Sequence, residues 1–401
     1  MTEDLLSGLR AAKGIPSIIT VAGIGGGGGN AVDHMYAQGI SGVNFLMCNT
    51  DRQALDKSLV ERKIVMGDGL GAGNDPKVGR AKAIESLDAI RDTLSSLGTQ
   101  MLFLTAGMGG GTGTGASPVI AKVAREMEIL TVAIVTTPFT SEGHKRVKQA
   151  AEGMEELAKY VDSILVIEND TIARIYGDLP VYSAFRKADD ILARAAKGIA
   201  ELITIPGTHN VDFADVKNVL RNSGRVHMSV ARAEGANRID DLIYRSLNSP
   251  LMERTITGAR DAIINISAAS FEEGLTLSQT EEIRAAIRKA AGPGTRGEDI
   301  NIIWGTTVKP ELGNALEMML VAANFEQSQV SRDDSGVVVL GARRNRYADI
   351  ETIKRTPAFQ RRNFKIVVEG TTRSTDNEII RDNQSRENAA GTGSSLFDNN
   401  D

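Results

Sequence analysis

Residues 107–115 carry six glycines and two threonines in nine positions, the feature that most limits what this chain can fold into. The run follows the apolar segment Met101 to Ala106 and precedes a helical segment in which Pro118 would lie in the first turn. Such glycines have no evident packing purpose, and their amides can wrap a di- or triphosphate at a helix N-terminus. Because G-K-[ST] is absent, the motif is not a Walker P-loop. It predicts a strand, a phosphate-binding turn and a helix, in that order.

A second glycine run, Gly23 to Asn30, also lies between an apolar and a helical segment. Gly23, Gly25 and Gly28 match G-x-G-x-x-G, and Asp51 closes the next apolar segment, as in dinucleotide-binding folds. A tight strand-to-helix turn would explain these glycines equally well. A nicotinamide-dependent oxidoreductase therefore stays open as an alternative, although it has no need for a second glycine loop.

Apolar runs alternate with helical segments through the first half of the chain, which predicts a doubly wound α/β domain with a parallel sheet. The expected strands are Ser17–Gly23, Val43–Asn49, Met101–Ala106, Leu130–Thr136 and Ser163–Ile167, with helices at Arg80–Leu97 and Pro118–Glu128. Apolar residues three or four apart then predict a long helix from Phe185 to Leu202, which Pro206 ends. Helices at 213–221, 239–248 and 280–291 and strands at 261–266 and 300–304 predict a smaller α+β domain.

The composition is that of an ordinary globular protein, with 41% hydrophobic and 24% charged residues. A net charge of −5, spread along the chain, argues against nucleic-acid binding. One cysteine, Cys48, and four scattered histidines predict neither a disulfide nor a metal site made by protein side chains. No apolar run approaches the ~20 residues of a membrane helix. The polar start MTEDLLSGLRAAKG predicts no signal peptide.

Segments spread over residues 15–325 resemble the tubulin/FtsZ GTPase superfamily and, within it, the bacterial FtsZ family. In chain order these segments are GIGGGGGNAVDHM, CNTDRQAL, GLGAGNDPKVGR, TAGMGGGTGTGASPVIA, TPFTSEGHKR, IENDTI, AFRKADDIL and NVDFADVKNVL. The resemblance implies a tubulin/FtsZ-like fold, with a Rossmann-like GTP-binding domain, a long central helix and a smaller α+β C-terminal domain. The implied divisions are an N-terminal extension (1–14), the GTP-binding domain (15–177), the central helix (178–206), the C-terminal α+β domain (207–325) and a disordered tail (326–401).

The resemblance also implies which residues bind GTP or GDP. Those matching the family's phosphate loops and γ-phosphate loops are Gly26, Gly27, Gly28, Gly29, Asn30, Asn49, Asp51, Gly71, Gly73, Gly110, Gly111, Thr112, Gly113 and Thr114. Glu142 and Arg146 match the ribose-binding and nucleotide-contacting pair, although their spacing would equally give an exposed ion pair. Asn169, Phe185 and Asp189 match the guanine pocket. Without the resemblance, Phe185 would be assigned to the core.

Asn210, Asp212 and Asp215 match the family's catalytic loop, which enters the nucleotide site of the next subunit. Taken locally, Asp212 is a good helix N-cap and Asp215 a first-turn acid. The resemblance implies a GTPase that assembles head to tail into division-ring filaments, with hydrolysis completed at each subunit interface. It further implies Mg²⁺ carried on the GTP phosphates, and a monovalent cation such as K⁺ beside the two carboxylates.

The tail contains a basic segment at residues 354–365, of which Thr356–Arg362 resembles the family's recognition peptide. This implies membrane-tethering and division-regulator proteins as partners, for a cytoplasmic protein that assembles under the inner membrane. Two departures from the family stand out: the chain continues for about 39 residues past the peptide, and residues 225–236 are unusually polar, with Ala236 in place of the family's glutamate. These departures keep open a degenerate filament or regulator that binds GTP with little turnover.

Overall fold

Seven strands form one parallel sheet in the first part of the chain, in the order β3-β2-β1-β4-β5-β6-β7. The computed structural model describes residues 17–40, 42–204, 211–249, 255–270, 274–293, 299–325, 338–340 and 364–366. The strands of this sheet are β1 (Ile19–Ile24), β2 (Asn44–Asn49), β3 (Lys63–Val65), β4 (Met101–Gly107), β5 (Leu130–Thr137), β6 (Ser163–Glu168) and β7 (Gly224–Arg225). The parallel sheet and all five expected strands are confirmed, within one or two residues at each end.

Helices separate these strands along the chain. They are α1 (Gly25–Ala37), α2 (Arg52–Lys57), α3 (Pro76–Glu85), α4 (Leu87–Ser96), α5 (Gly111–Glu126), α6 (His144–Leu157), α7 (Asn169–Tyr176), α8 (Val181–Thr204) and α9 (Phe213–Leu220). The strand order reverses between β1 and β4, so the crevice at their carboxyl ends is where a doubly wound fold binds ligands. Both glycine runs follow these two strands, β1 and β4.

Both faces of the sheet are buried, which explains the continuous apolar runs. On β4, Met101 and Phe103 face one core while Leu102 and Leu104 face the other, and all four are fully buried. The central helix α8 packs on the first of these cores through residues including Leu192, Ala196, Ile199 and Leu202. The predicted apolar face of α8 is therefore confirmed at Leu192, Ile199 and Leu202.

A second, mixed sheet follows α9. Its strands are β8 (His227–Ala233), β9 (Asp261–Ala268), β10 (Asn301–Val308) and β11 (Leu316–Ala323), in the order β10-β9-β11-β8. Two helices, α10 (Arg238–Leu247) and α11 (Leu277–Ala291), accompany it. The sequence predicted β9 and β10 but missed β8 and β11. In the unusually polar stretch, β8 buries His227, Met228 and Ser229, whereas Arg232 is exposed.

A lysine bridge joins the central helix to this second sheet. Lys309, just after β10, donates to Glu201 of α8 at 2.8 Å and to Glu317 of β11 at 2.6 Å. The Lys309 and Glu201 side chains are each only 13% exposed. Because a partly buried lysine needs its charge compensated, this bridge ties α8 to the sheet.

Two local expectations about helices are wrong. The segment Arg80–Leu97 is two helices, because Ser86 bonds back to the Lys82 carbonyl at 3.1 Å and accepts from the Gly67 amide at 3.3 Å. Pro118 lies inside α5 rather than in its first turn, since the helix begins at Gly111, within the glycine run itself.

Residues 327–401 group apart from residues 1–326. In that second unit the structure describes β12 (Val338–Leu340) and β13 (Phe364–Ile366), which pair in parallel. The basic peptide Thr356–Arg362 lies outside the described residues, as does the N-terminal extension 1–14. Among the helices that the structure describes, none has the length and apolarity needed to cross a membrane.

Candidate nucleotide site

The two glycine runs form the first turns of α1 and α5, which lie side by side at the carboxyl edge of the sheet. A Cβ added to Gly25, which has φ +71°, would lie 3.0 Å from the Gly113 nitrogen. One added to Gly27 would lie 3.2 Å from the Gly107 Cα. Two helix N-termini, each with amides that lack intrahelical partners, therefore meet at the point where the strand order reverses.

The glycines at this edge divide into two groups. A Cβ would lie 2.1 Å from the Thr105 carbonyl oxygen if added to Gly28, and 2.4 Å from the Gly107 oxygen if added to Gly113. These distances are too short for any side chain, so both residues are required by packing. In contrast, a Cβ on Gly26 or Gly110 would have no atom within 4 Å. Only this second group borders open space.

The expectation that glycines 107–115 have no packing purpose is therefore wrong. Gly113 is not the only packed glycine of this run. A Cβ added to Gly111 would lie 2.9 Å from the Ala72 Cβ, and one added to Gly115 would lie 2.0 Å from the Pro76 oxygen. Both contacts are made where α3 and the loop before it lie against α5. Close helix approach explains these glycines, and the open backbone at Gly110 is what remains for a ligand.

The two threonines of the second run have different surroundings. Thr114 is 4% exposed, and its Oγ1 accepts from the Gly109 amide at 2.8 Å, which holds the turn closed. Thr112 is half-buried, and its Oγ1 lies 2.6 Å from the Thr50 Oγ1. This contact links the first turn of α5 to the end of β2.

Asn49 and Asp51 follow β2 at the same edge. The Asn49 Oδ1 accepts from the Asp51 amide at 3.2 Å, and Asp51 caps α2 by accepting from the Gln53 amide at 2.9 Å. Asn49 is buried and Asp51 is exposed. In the oxidoreductase alternative Asp51 would bind a ribose, but here its carboxylate is engaged as an N-cap.

Gly71 and Gly73 lie in the loop of residues 66–75, between β3 and α3. Both have positive φ, +82° and +55°, and the Gly71 amide donates to the Thr50 carbonyl at 2.8 Å. Because Ala72 lies against Gly111, this loop borders the first turn of α5. We call it the β3–α3 loop.

Glu142 and Arg146 form an ion pair beside the second glycine run, on the 3₁₀ turn Thr140–Glu142 and on α6. The Glu142 Oε1 accepts from the Phe139 amide at 2.9 Å, and a Cβ on Gly109 would lie 3.0 Å from the Arg146 oxygen. The ring of Phe139 packs edge-on against that of Phe185, with centroids 5.6 Å apart. The ion pair, the glycine turn and Phe185 are therefore neighbours.

Phe185 is 43% exposed, so the core assignment that the sequence alone favoured is wrong. Asn169, the first residue of α7, is 9% exposed, and among the described residues its buried Oδ1 has no hydrogen-bond partner. A buried acceptor without a donor is unfavourable unless a ligand supplies one. An exposed ring and an unsatisfied amide suit a planar base that carries N–H groups.

Asp189 lies one helical turn beyond Phe185. Burial raises the pKa of its carboxyl from 3.8 to about 6, an effect that His34 and Arg186 oppose and Asp190 reinforces. A carboxylate that has lost solvent without gaining a strong partner is poised to accept hydrogen bonds from a ligand.

Sequence reasoning missed the partner of this region, His34. Its Nε2 lies 2.6 Å from Asp190 Oδ1, and Gln38 of α1 donates to the same oxygen at 3.2 Å. Burial favours a higher pKa for Asp190, but the hydrogen bond and charge of His34, together with the charges of Lys187 and Arg194, outweigh it and lower the pKa. This contact joins α1, whose first turn is one of the two glycine turns, to the central helix α8. Only the placement of α1 against α8 makes it visible, since 156 positions separate the two residues.

Asp212 and Asp215 cap α9 reciprocally. Asp212 Oδ1 accepts from the Asp215 amide at 2.8 Å, and Asp215 Oδ2 accepts from the Asp212 amide at 3.4 Å. The other end of α9 lies at the amino edge of the sheet, where the Leu220 carbonyl accepts from the hydroxyl of Ser163, the first residue of β6, at 2.7 Å. Asn210 lies outside the described residues. Among the described residues, no hydrogen bond or ion pair joins these two carboxylates to the glycine turns of the same chain.

Nothing in the described ranges groups three or more His, Cys, Asp or Glu side chains where they could hold a metal ion. Cys48 is buried on β2, and burial raises the pKa of its thiol to about 12, which keeps it protonated and unreactive.

Two open glycine turns at a switch point, beside an exposed ring and a partly buried carboxylate, define a nucleotide-binding α/β protein. The comparisons agree with this class. The description "Tubulin/FtsZ family, GTPase domain" matches residues 18–177, and "FtsZ family, C-terminal domain" matches residues 224–326.

Individual relatives give the same result. The Cell division protein FtsZ of Porphyromonas gingivalis (strain ATCC BAA-308 / W83) is 45% identical over 331 residues, 81% of this chain and 71% of that protein. A structure of an empty FtsZ dimer from M. jannaschii has a TM-score of 0.69 at 37% identity, covering 80% of this chain and 91% of that one. A mutant FtsZ from the same organism has a TM-score of 0.70 at 36% identity, with 84% and 98% covered. The chain belongs to the FtsZ family of tubulin-like GTPases.

Proposed function

We propose that this chain is a cell-division GTPase that binds GTP at the carboxyl edge of its parallel sheet and hydrolyses it between copies assembled head to tail. The observation that carries the proposal is the meeting of the two open glycine turns, at Gly26 and Gly110, beside Phe185 and Asp189. Family membership and the empty dimer of the M. jannaschii relative support self-association.

The phosphates would lie across the N-termini of α1 and α5. Amides around Gly26, Gly27 and Gly110 border open space or solvent, so they can donate to phosphate oxygens without rearrangement. Asn30, exposed on α1, and Thr112 would add side-chain contacts. The remaining glycines of the two runs would act indirectly, by letting the helices approach closely enough to form the cradle.

The base and sugar would lie at the start of α8. The Phe185 ring would stack on guanine, and Asp189 would accept from its N1 and N2 hydrogens. Asn169 would complete the pocket, and this would satisfy its buried Oδ1. Glu142 and Arg146 would meet the ribose and the phosphates, exchanging part of their mutual ion pair for ligand contacts.

Hydrolysis would require a second copy. From Asp189 to Thr204 the helix alone extends ~22 Å, at 1.5 Å per residue, and Asp212 follows beyond that end. In an assembly, Asp212 and Asp215 of one copy would orient water at the γ-phosphate of the next, with Asn210 assisting. Mg²⁺ entering with GTP would neutralise phosphate charge, and a monovalent cation such as K⁺ would offset repulsion from the two carboxylates.

The experiment that tests the proposal is GTP turnover as a function of protein concentration. Specific activity should be low in dilute protein and rise above a threshold at which light scattering reports polymers, with GDP and NAD giving no assembly. Full turnover by unassociated protein would contradict hydrolysis between copies. GTP binding and assembly without turnover would favour the alternative, a filament or regulator that binds GTP.

Asp212→Asn is the sharper catalytic test. Asparagine caps helices as well as aspartate does, so α9 should stay intact while the charge is lost. We expect unchanged GTP binding, turnover reduced at least ~100-fold, the scale for a group that positions a reacting water, and long-lived polymers. Asp212→Ala, which also loses the cap, separates helix stability from chemistry. Normal turnover by Asp212→Asn would refute the catalytic role.

The tail would recruit other proteins. We propose that Thr356–Arg362 binds membrane-tethering and division-regulator proteins, which would place a cytoplasmic assembly beneath the inner membrane. Removing residues 350–401 should spare polymerisation and abolish recruitment, and loss of polymerisation would contradict this division of roles.

A further inference from the structure

Lys82 of α3 is bound to the β3–α3 loop at two points. Its Nζ donates to the Asp68 carboxylate and, at 2.7 Å, to the Gly71 carbonyl. Its aliphatic stem covers Gly67, where an added Cβ would lie 2.7 Å from the Lys82 Cγ. One side chain therefore contacts the beginning and the middle of the loop.

The loop depends on contacts from outside it. Four of its glycines, at 67, 69, 71 and 73, and Asn74 have positive φ, a pattern that forms no regular ladder of hydrogen bonds. Three backbone hydrogen bonds hold it to the end of β2 and the start of α2: Met66 donates to the Asn49 carbonyl at 2.8 Å, Gly71 donates to the Thr50 carbonyl at 2.8 Å, and Arg52 donates to the Gly69 carbonyl at 3.0 Å. Two side chains outside the loop add to these bonds: Lys82 through its two contacts, and Ser86, whose hydroxyl accepts from the Gly67 amide at 3.3 Å.

The burial of Lys82 makes these contacts strong. Its side chain is 13% exposed, whereas that of Asp68 is 56% exposed. An ammonium group that has lost most of its water must keep its partners, and here the loop supplies both. The hydrogen bond from Lys82 lowers the pKa of Asp68, so this carboxyl group stays ionised at neutral pH.

The held loop borders the phosphate cradle. Ala72 packs on Gly111, the first residue of α5, and Asp75 at the end of the loop caps α3 by accepting from the Lys77 amide at 2.8 Å. A displacement of the loop at Gly71 would therefore also shift Ala72 relative to the first turn of α5.

We propose that Lys82 is a positioning residue that fixes the β3–α3 loop over the first turn of α5, so that the loop around Gly71 and Gly73 is preorganised for the γ-phosphate. This rests on the proposed function. GTP meets the loop through its γ-phosphate and GDP does not, so Lys82 governs the preference for GTP over GDP rather than nucleotide affinity in general.

Lys82→Met tests this, because methionine keeps the stem over Gly67 and removes the charge. We expect GTP affinity to fall about tenfold, because GTP must then order the loop on binding. GDP affinity should stay within twofold. Hydrogen exchange of the amides at 66–75 in the nucleotide-free protein should accelerate about tenfold. Lys82→Arg, which keeps a cation, should recover most of the GTP preference.

Arg91→Met is the matched control, since it removes the ion pair with Glu126 on the next helix, at 2.7 Å, away from the loop. Identical GTP-to-GDP affinity ratios for Lys82→Met and Arg91→Met would overturn the inference, whatever the loop exchange. Faster exchange with an unchanged ratio would make Lys82 merely structural, and would likewise overturn it. A parent chain that fails to bind GTP would overturn the proposed function and this inference together.

Discussion

Acidification should weaken GTP binding through protonation of Asp189. Burial holds the pKa of this carboxyl near 6, so in the nucleotide-free protein it is ionised at pH 7.5 and largely protonated at pH 5. Guanine offers N–H donors, which only the carboxylate accepts strongly at both oxygens. Binding should therefore favour the ionised form and release a proton below about pH 6.5.

The magnitude follows from a single titration. If only the carboxylate form binds tightly, the apparent Kd is multiplied by a factor of 1 + 10^(pKa − pH). At pH 5 this factor is about eleven, which corresponds to a loss of ~1.4 kcal/mol of binding free energy. Between pH 7.5 and 7 the change is under about 10% by the same relation. The transition is centred on the pKa of the free protein, not on the ordinary aspartate value.

The assay is a Kd measurement for GTP at pH 5 to 8, on dilute protein below the assembly threshold, in parallel with Asp189→Asn. The variant cannot titrate at this position, so its residual pH dependence reports every other titrating group of the protein and the nucleotide. The loss of affinity that the substitution causes at pH 7.5 should shrink about tenfold by pH 5. Parallel curves for the two proteins would refute the reasoning.

The pH dependence of folding stability gives an independent test of the raised pKa of Asp189. The folded-state pKa of Asp189 is raised, so the carboxylate destabilises the nucleotide-free fold above about pH 6, and the penalty fades as pH falls toward 3.8. From the two pKa values the full penalty is at most ~3 kcal/mol. Asp189→Asn should therefore raise the Tm of the nucleotide-free protein at pH 7.5 while it weakens GTP binding.

Two further predictions concern packing and the lysine bridge. Gly115→Ala should destabilise the fold by about 2 kcal/mol or more in urea unfolding, because the new methyl group collides with backbone. Gly110→Ala should fold normally and lose GTP affinity. Equal stabilities of the two variants would contradict the division of the glycines into a packed and an open group. Lys309→Met should lower the free energy of unfolding by about 3 kcal/mol, because it leaves Glu317 without its lysine and Glu201 with only the longer contact to Lys197, at 3.5 Å. Lys148→Met, which removes an exposed ion pair, should change the free energy of unfolding little. Equal losses of stability in the two variants would show that the Lys309 bridge contributes no more than a surface ion pair.

Periodicity and apolar runs were enough to predict the parallel sheet, because a strand buried on both faces must be apolar throughout. They missed β8, where His227 and Ser229 interrupt the apolar pattern although both are buried. They also missed β11, although LEMMLVAA is apolar apart from Glu317. Helix boundaries at the glycine runs were misjudged because glycine disfavours helices on average, while here close packing requires it inside the first turns.

The candidate site was less accessible from the sequence. Motif resemblance located its residues, but local pattern alone could not tell an exposed Phe185 from a core phenylalanine, since both would lie on the apolar side of one helix. His34 lies in a matching segment but was assigned no role, and Lys82 lies outside the matching segments. Each gains its significance from a partner brought close by the fold, Asp190 in one case and the β3–α3 loop in the other.

The capping box on α9 shows why a structural and a catalytic reading of the same carboxylates need not compete. Each aspartate uses one oxygen for the cap, so its orientation is fixed without a ligand while its second oxygen stays available. A group that must position water on another copy cannot rely on that copy to orient it beforehand, and a helix N-terminus provides this preorganisation locally. On this argument Asp212→Asn keeps the orientation and loses the charge, whereas Asp212→Ala loses both. The difference in turnover between these two variants would therefore measure what orientation alone contributes.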